Sequence, residues 1–349
     1  MDFNFTTSTG IEALTTIVNP TTNTSMNISS NTTADSLPSM PSVFEAIVMY
    51  IICLGAIFSN MMVLFTLPHL KGKIRTQTRY CMISLVITDS LLGSTKLVST
   101  TVFITNIKAY MDYICFAEGI LAGFLVDMTI VGLTLLNADR IFVILLPAKY
   151  EPWMSKRKFK IILVALWLLF TVRFAVAASL PKTQRHYLEG AYLCLLKYDT
   201  NKVFTSVSIL VILVVPFLNC VASLLAFIRI LKRRAKTNIS KNSKSKESTT
   251  VLSAIFLLTT AYFFMTAPFS ICVLVNQAFF DNAPNKTANF VTTWLLACNS
   301  VVNPYIYLAT MKSYRQEFCK SVSRLVGIKK DKTPNLDDSR FSTHDDNDL

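Results

Sequence analysis

The sequence predicts an all-α membrane protein, a seven-transmembrane helix bundle, from its composition, its apolar runs and the charges of its loops. Of 349 residues, 52% are apolar and only 16% are charged, whereas soluble domains carry about a quarter charged residues. A bilayer requires roughly 20 consecutive apolar residues of a spanning helix. Seven runs meet this requirement, at about residues 44–68, 79–104, 113–145, 160–180, 203–231, 249–276 and 289–311.

The loops between these runs differ in their content of Lys and Arg. Residues 71–79, 149–160 and 229–246, which follow runs one, three and five, are rich in both, and the opposite loops are poor in them. Because positive residues collect on the cytoplasmic side of membrane proteins, we expect the N-terminus outside and the C-terminus in the cytoplasm. The net charge of +13 reflects this asymmetry, so it does not indicate nucleic-acid binding.

Residues 1–43 are predicted to be a disordered, glycosylated extracellular segment. The first 40 residues are rich in Thr, Ser and Asn and contain no Lys or Arg. They lack a basic region followed by a short apolar one, so we expect no cleaved signal peptide and assign membrane insertion to run one. Acceptor sequences for N-glycosylation occur here and between runs six and seven, at Asn4, Asn23, Asn27, Asn31 and Asn285.

Three of the eight cysteines lie outside the interior of the apolar runs. Cys115 lies at the outer end of run three and Cys194 lies in the loop between runs four and five. Both are on the predicted oxidising side, which allows a disulfide bridge between them. Cys319 follows run seven on the predicted cytoplasmic side, where we predict palmitoylation.

Polar residues and prolines lie at particular depths in the runs. Run three ends with Asp139-Arg140, and run seven reads "NSVVNPYIY". The order of these residues on seven spans resembles the rhodopsin-like (class A) G-protein-coupled receptor family, over about residues 44–325. The residues that carry the resemblance are Asn60, Asp89, Cys115, Asp139, Arg140, Pro147, Tyr150, Trp167, Pro216, Pro268, Asn303, Pro304 and Tyr307.

The resemblance implies a domain organisation and a function. Residues 44–311 would form the bundle, residues 312–325 an amphipathic helix eight, and residues 326–349 a disordered cytoplasmic tail. The protein would be a plasma-membrane receptor without enzymatic activity that binds an extracellular ligand and activates a heterotrimeric G protein. In the tail, phosphorylation at Ser339, Ser342 and Thr343 by a receptor kinase would recruit arrestin, although a plain solubilising tail explains the same composition.

The resemblance also assigns an activation switch. Arg140 lies 25 residues past Cys115, about 37 Å deeper at roughly 1.5 Å per residue, at the cytoplasmic boundary. Asp139 would neutralise it until the inner end of helix six moves outward. Pro268, Tyr262, Asn303, Pro304 and Tyr307 complete the expected switch. The chain departs from the family pattern at several positions, so we expect raised basal signalling; these positions are Ile141, Leu224, Ser248, Tyr262 and Thr266.

An allosteric sodium site is the only cofactor that the resemblance implies. An intramembrane carboxylate needs a partner, and a hydrated Na⁺ would supply one to Asp89. The alternative is that Asp89 is protonated. The residues that match the family's sodium pocket are Asp89, Thr129, Asn299, Ser300 and Asn303.

The ligand is not specified by the sequence, but two classes are disfavoured. Ala122 occupies the place where amine receptors of the family have an aspartate, and Ala297 occupies the place of the retinal-binding lysine of opsins. We predict a small polar or peptide ligand at a site formed by Lys96, Glu118, Ala122 and Thr266.

Two pairs of charges lie inside the runs. Asp127 and Arg173 lie at similar depths, and we predict a structural ion pair because an unpaired charge there would be costly. Lys96 lies seven residues beyond Asp89 on nearly the same helix face, at the level of Glu118. Lys96 and Glu118 either pair with each other or bind the ligand.

Two other functions agree less well with the sequence. A seven-span transporter or channel would share the composition, but would normally show repeated halves or broken helices, and neither is visible. A membrane enzyme would need a metal or nucleophile cluster. The three histidines, His69, His186 and His344, are too dispersed to form one.

Overall fold

The computed structural model describes residues 40–72, 74–105, 108–179, 183–188, 190–198, 202–237, 243–279 and 285–325. In this part of the chain there are nine α-helices: α1 (Val43–Thr66), α2 (Thr76–Thr105), α3 (Lys108–Leu145), α4 (Pro147–Trp153), α5 (Lys156–Ser179), α6 (Lys202–Thr237), α7 (Ser243–Phe279), α8 (Lys286–Thr310) and α9 (Lys312–Leu325). The acceptor sites Asn4, Asn23, Asn27 and Asn31 lie outside the described residues. So do Ser339, Ser342 and Thr343 of the tail.

Six of the described helices are long and apolar enough to cross a membrane. They correspond to the first six predicted runs. The first span combines α1 with the short 3-10 helix Leu67–Leu70 that follows it. The six spans are Val43–Leu70, Thr76–Thr105, Tyr113–Val143, Lys156–Val176, Ile212–Lys232 and Leu252–Val275. Helix α8 covers the seventh run, but its Asn and Thr residues make it less apolar and it is not among the six. Large apolar side chains on the outer face of α5 are exposed, as expected of a surface that faces lipid; examples are Leu168, Leu169 and Val172.

The prediction of an all-α fold was wrong for the connection between α5 and α6. Strands β1 (Thr183–Leu188) and β2 (Leu193–Tyr198) pair antiparallel there, with Leu188 opposite Leu193. Strands of six residues are too short to appear as apolar runs of roughly 20 residues. Their pairing satisfies the backbone groups of a loop that is partly buried against the bundle. The short helix α4, with Pro147 in its first turn, was also not predicted.

Side-chain caps fix where two helices begin. The Ser42 hydroxyl accepts from the Glu45 backbone N–H at 3.2 Å, and the Glu45 carboxylate accepts from the Ser42 N–H at 2.7 Å, which together form a capping box before α1. The Asn285 Oδ1 accepts from the Thr287 N–H at 2.9 Å and caps α8. Asn285 is exposed, as the predicted glycan requires.

The helices pack through small residues and interhelical hydrogen bonds. A Cβ at Gly93 of α2 would lie 3.1 Å from the Ala56 Cβ of α1, so this glycine allows close approach of the two helices. The Asn60 amide donates to the Ser300 carbonyl at 2.7 Å and joins α1 to α8. The Trp167 indole donates to the Ser84 hydroxyl at 3.0 Å and joins α5 to α2.

The hairpin is attached to one end of the bundle. A disulfide joins Cys194 of β2 to Cys115 of α3, as the sequence allowed. The Trp294 indole of α8 donates to the carbonyl of Ala191 at 3.1 Å. Gly190 has a φ of +82°, and a Cβ there would overlap the backbone of Lys286. The turn of the hairpin is therefore pressed against the first turn of α8, and we call this end the disulfide end.

We predict that Gly190→Ala destabilises the protein more than Gly72→Ala. Both glycines have positive φ, where an alanine costs roughly 1–2 kcal/mol. A Cβ at Gly72 has no atom within 4 Å, whereas one at Gly190 overlaps Lys286. The apparent melting temperature of the purified protein should therefore fall further for Gly190→Ala. Equal losses would show that the overlap is relieved without cost.

Candidate functional site

A cavity of about 210 Å³ lies between the helices, next to the disulfide that anchors the hairpin. Leu193 and Cys194 of β2 contribute to its wall, and helices α2, α3, α5, α6, α7 and α8 supply the rest. Most of the lining is apolar, including Leu92, Val126, Ile212, Phe269, Val273 and Leu296. An apolar lining with a few charged groups is typical of a site for a small molecule or part of a larger one.

Lys96 and Glu118 both line this cavity, and both are buried. The Glu118 Oε2 accepts a hydrogen bond from the Cys194 backbone N–H at 2.9 Å. The Lys96 ammonium lies 5.5 Å from the centre of the Trp294 ring. Among the described residues no ion pair within 4.0 Å joins Lys96 to Glu118. The two charges thus share the cavity without direct contact.

Asp127 of α3 and Arg173 of α5 form an ion pair that also lines the cavity. The Asp127 side chain is 14% exposed and the Arg173 side chain is 39% exposed. The guanidinium also lies 5.1 Å from the centre of the Phe174 ring. The sequence predicted this contact, but not that the pair would contribute to the cavity wall.

The predicted ligand residues do not all meet. Ala122 lines the cavity together with Lys96 and Glu118. Thr266 is not among the lining residues of this cavity, and its contact with a ligand stays a prediction. It is buried in the bundle, and its hydroxyl donates to the Tyr262 carbonyl within α7 at 2.6 Å.

Several lining residues were missed by the sequence reasoning. Phe269 and Val273 lie four residues apart and share one face of α7, a spacing that could have marked them. Leu193 could not have been found, because its place depends on how the hairpin folds over the bundle.

A buried polar centre lies around Asp89. The Asp89 carboxylate accepts hydrogen bonds from the Ser300 hydroxyl at 2.9 Å and from the Asn303 amide at 2.8 Å. The side-chain oxygens of Asn299 and Asn303 are buried and have no hydrogen-bond partner among the described residues. Thr129, Asn299 and Ser300 also line the large cavity, so the polar centre adjoins it.

Asp139 and Arg140 lie at the other end of α3, and each contacts residues beyond the pair. The Asp139 carboxylate accepts a hydrogen bond from the Tyr150 hydroxyl at 2.9 Å and lies 3.7 Å from the Arg75 guanidinium. The Arg140 Nε lies 3.9 Å from Asp139, and another guanidinium nitrogen donates to the Thr78 hydroxyl. One carboxylate therefore interacts with two arginines. We call this end the Arg140 end.

Arg75, Thr78 and Tyr150 complete this cluster. Arg75 lies 5.4 Å from the centre of the Tyr150 ring. Burial, aided by the negative charge of Asp139, raises the pKa of Tyr150 above its usual value, so the phenol remains a hydrogen-bond donor. The side chain of Ser248, at the position expected to interact with Arg140, lies outside the described residues. The sequence reasoning did not assign Arg75 or Thr78 to the switch.

Polar contacts connect the last third of α3 with α6. The Asn137 amide donates to the Asn219 backbone carbonyl at 2.9 Å, and the Asn219 amide donates to Thr134 at 2.8 Å. A void of about 10 Å³ lies beside Asn219 and is lined by Pro216 and Tyr262. The Tyr262 hydroxyl is buried without a hydrogen-bond partner among the described residues.

The remaining predicted switch residues are on α7 and α8. Pro268 lies inside α7, and Pro304 lies inside α8. Tyr307 is buried near the Arg140 end, with its ring 6.0 Å from that of Tyr314 on α9. Cys319, the predicted palmitoylation site, is exposed on α9.

Comparison with known proteins identifies one family. The family described as "7 transmembrane receptor (rhodopsin family)" matches residues 59–307. The chain is 26% identical over 306 residues to the tachykinin-like peptides receptor 86C of Drosophila melanogaster. The matched region covers 81% of this chain and 59% of that receptor. It is 25% identical over 212 residues to the octopamine receptor beta-2R of the same species, covering 59% of this chain and 39% of that receptor.

A third relative is the histamine H2 receptor of Cavia porcellus, 22% identical over 287 residues, with 78% of this chain and 79% of that receptor covered. The chain thus spans less than two thirds of the length of the two Drosophila receptors.

We predict that Arg173→Ala destabilises the protein more than Asp127→Ala. Removal of Arg173 leaves a mostly buried carboxylate without its partner, whereas removal of Asp127 leaves a guanidinium that is more exposed. The double variant should lose less stability than the sum of the single losses, with a coupling of about 0.5–3 kcal/mol, measurable from thermal unfolding of the four proteins. Strict additivity would mean that the contact contributes nothing.

Proposed function

Because the chain belongs to the rhodopsin family of seven-transmembrane receptors, we propose that it is a plasma-membrane receptor that binds an extracellular ligand and activates a heterotrimeric G protein. The observation that carries this proposal is that the cavity and the Asp139–Arg140 cluster lie at opposite parts of one helix, α3. Glu118 and Arg140 are 22 residues apart, or roughly 33 Å along the axis. A ligand that shifts α3 or α7 at the cavity can thereby alter contacts at the Arg140 end.

In this arrangement α8 is the seventh membrane span and α9 lies along the cytoplasmic membrane surface. The N-terminus is outside, in keeping with the disulfide and with the Lys and Arg residues of the opposite loops. Glycosylation at the five acceptor asparagines and acylation of Cys319 are part of the same proposal. Cys319 is exposed on α9, where an acyl chain can enter the bilayer.

The ligand is a small polar molecule or a peptide. The relatives are named as receptors for tachykinin-like peptides, octopamine and histamine. At Ala122 the cavity has no carboxylate for the amine that two of those ligands carry. The charged lining residues Lys96, Glu118, Asp127 and Arg173 provide other polar contacts.

Coupling to the G protein would require that Arg140 leaves its present partners. Thr78 and Asp139 hold its guanidinium against α2 and α3. Asp139 also interacts with Arg75 and Tyr150, which compete with Arg140 for its carboxylate. The interaction between Asp139 and Arg140 is therefore weaker, and basal signalling is expected. After activation, a receptor kinase and arrestin would act on the tail at Ser339, Ser342 and Thr343.

A sodium ion is proposed as an allosteric ligand beside Asp89. The residues there fit a hard cation, because Na⁺ requires oxygen ligands and the Asn299 and Asn303 oxygens are buried without a hydrogen-bond partner among the described residues. Asp89, Thr129, Asn299, Ser300 and Asn303 would hold the ion. The ion would compensate the charge of Asp89 and favour the arrangement of α8 in which Ser300 and Asn303 contact it.

The receptor function is tested by nucleotide exchange. Purified protein in bilayer discs should accelerate GTPγS loading of at least one heterotrimeric G protein, and Arg140→Ala should abolish the acceleration. Thr78→Val has nearly the same shape but cannot accept the hydrogen bond from Arg140, so it should raise the basal exchange rate a few-fold. Thr88→Val is a matched control, because among the described residues the Thr88 hydroxyl donates only within α2. No exchange with any G-protein class would refute the function.

The sodium site is tested by thermal unfolding at constant ionic strength. Replacement of choline by Na⁺ should raise the melting temperature of the wild-type protein, because an ion that binds only the folded state stabilises it. Asp89→Asn should remove this response. Asp127→Asn also removes an intramembrane carboxylate and should keep the response. A response that survives Asp89→Asn would place the ion elsewhere.

A further inference from the structure

We propose that the ligand carries a carboxylate, or a similar organic anion, that binds the Lys96 ammonium, and that its apolar part fills the rest of the cavity. The inference rests on the proposed receptor function and names the ligand class of the same cavity. Four charged side chains line the cavity, and they differ in whether they have a direct partner. They are Lys96, Glu118, Asp127 and Arg173.

The two carboxylates of the cavity have direct partners. Asp127 forms its ion pair with Arg173, and Glu118 accepts the hydrogen bond from the Cys194 backbone N–H at 2.9 Å. This N–H belongs to the residue that the disulfide fixes to α3, so its position is constrained. A cationic ligand would have to compete with both contacts.

Lys96 differs from these groups. Its side chain is buried, and among the described residues no carboxylate lies within 4.0 Å of its ammonium and no hydrogen-bond acceptor is bound to it. The ammonium lies over the Trp294 ring, 5.5 Å from its centre. A ring face attracts a cation, but it cannot accept the three N–H bonds that an ammonium offers.

A buried cation without acceptors is costly in an apolar bundle. Glu118 offsets part of this cost through space, without direct contact. A ligand carboxylate within reach of Lys96 would form charge-assisted hydrogen bonds where water is largely excluded, and such bonds are the stronger ones. Lys96 is thus the charged lining residue whose bonding is completed by an anion.

The remainder of the cavity favours an apolar ligand body. From Lys96 on α2, the lining continues through Leu92, Val126, Phe269 and Leu296, which present carbon surface. Ala122 leaves space at the middle of α3, where a larger or charged side chain would protrude. An anion with an apolar tail therefore matches the lining better than a fully polar solute does.

The anion can belong to a free organic acid or to the C-terminus of a peptide. Two probe series separate these sources: straight-chain carboxylates of graded length, and N-acetylated apolar dipeptides with a free C-terminus. The matched controls are the primary amines and primary amides of the same chains, and the C-terminally amidated dipeptides. Binding is read from the thermal unfolding of the purified full-length protein, and receptor activity from nucleotide exchange in parallel.

Carboxylates of one series should raise the melting temperature of the wild-type protein, whereas the matched amides and amines should not. Lys96→Gln should weaken the apparent affinity of the carboxylate by about ten- to hundredfold, the loss expected for a charge-assisted hydrogen bond. Lys96→Arg keeps the charge and should retain most of the affinity. Glu118→Gln removes the nearby negative charge and should maintain or increase the affinity.

Three results would overturn the proposal: no stabilisation by any carboxylate, equal stabilisation by carboxylate and amide, or stabilisation by amines that Glu118→Gln abolishes. If Lys96→Gln does not fold, the comparison of carboxylate with amide on the wild-type protein still tests the proposal. Stabilisation by carboxylates without any change in nucleotide exchange would support the ligand class and count against the receptor function. Nucleotide exchange without carboxylate binding would support the receptor function and count against the ligand class.

Discussion

An ionisable side chain inside an apolar helix bundle needs a partner, and this constraint determines much of the architecture. Asp89 of α2 is bound by Ser300 and Asn303 of α8, and Asp127 of α3 by Arg173 of α5. In both cases the partner comes from another helix. Each polar contact therefore also fixes how two helices are placed, since neither group can turn to lipid without a large cost in solvation.

Helix α3 carries the largest share of these contacts. Along its length it presents Glu118 to the hairpin, Asp127 to α5, Asn137 to α6 and Asp139 to Arg75 and Tyr150. Because these contacts are spaced along one helix, the cavity and the Arg140 end are mechanically connected by a single element. A small shift of α3 changes several of them at once, which suits a protein with two arrangements of its bundle.

The two ends of the bundle are stabilised in different ways. At the disulfide end, Cys115–Cys194 and the hydrogen bond from Trp294 to Ala191 hold the hairpin against the helices. At the Arg140 end, the contacts are ionic and shared: Asp139 serves two arginines and a tyrosine. A covalent bond keeps the wall of the cavity in place, whereas ionic contacts can exchange partners at little cost. The proposed signalling change is therefore expected at the Arg140 end.

The sequence by itself predicted the helical bundle, the six spans that the structure describes and the contact of Asp127 with Arg173, and it allowed the disulfide. These features follow from local apolar runs and from charges at matched depths. Both are visible along the chain, because a bilayer sets the length of a spanning helix and makes an unpaired charge costly. The hairpin, the position of Thr266 outside the cavity and the lack of direct contact between Lys96 and Glu118 were decided only by the tertiary structure. Helix rotation and loop folding set these features, and both depend on packing between segments far apart in sequence, which no local pattern encodes.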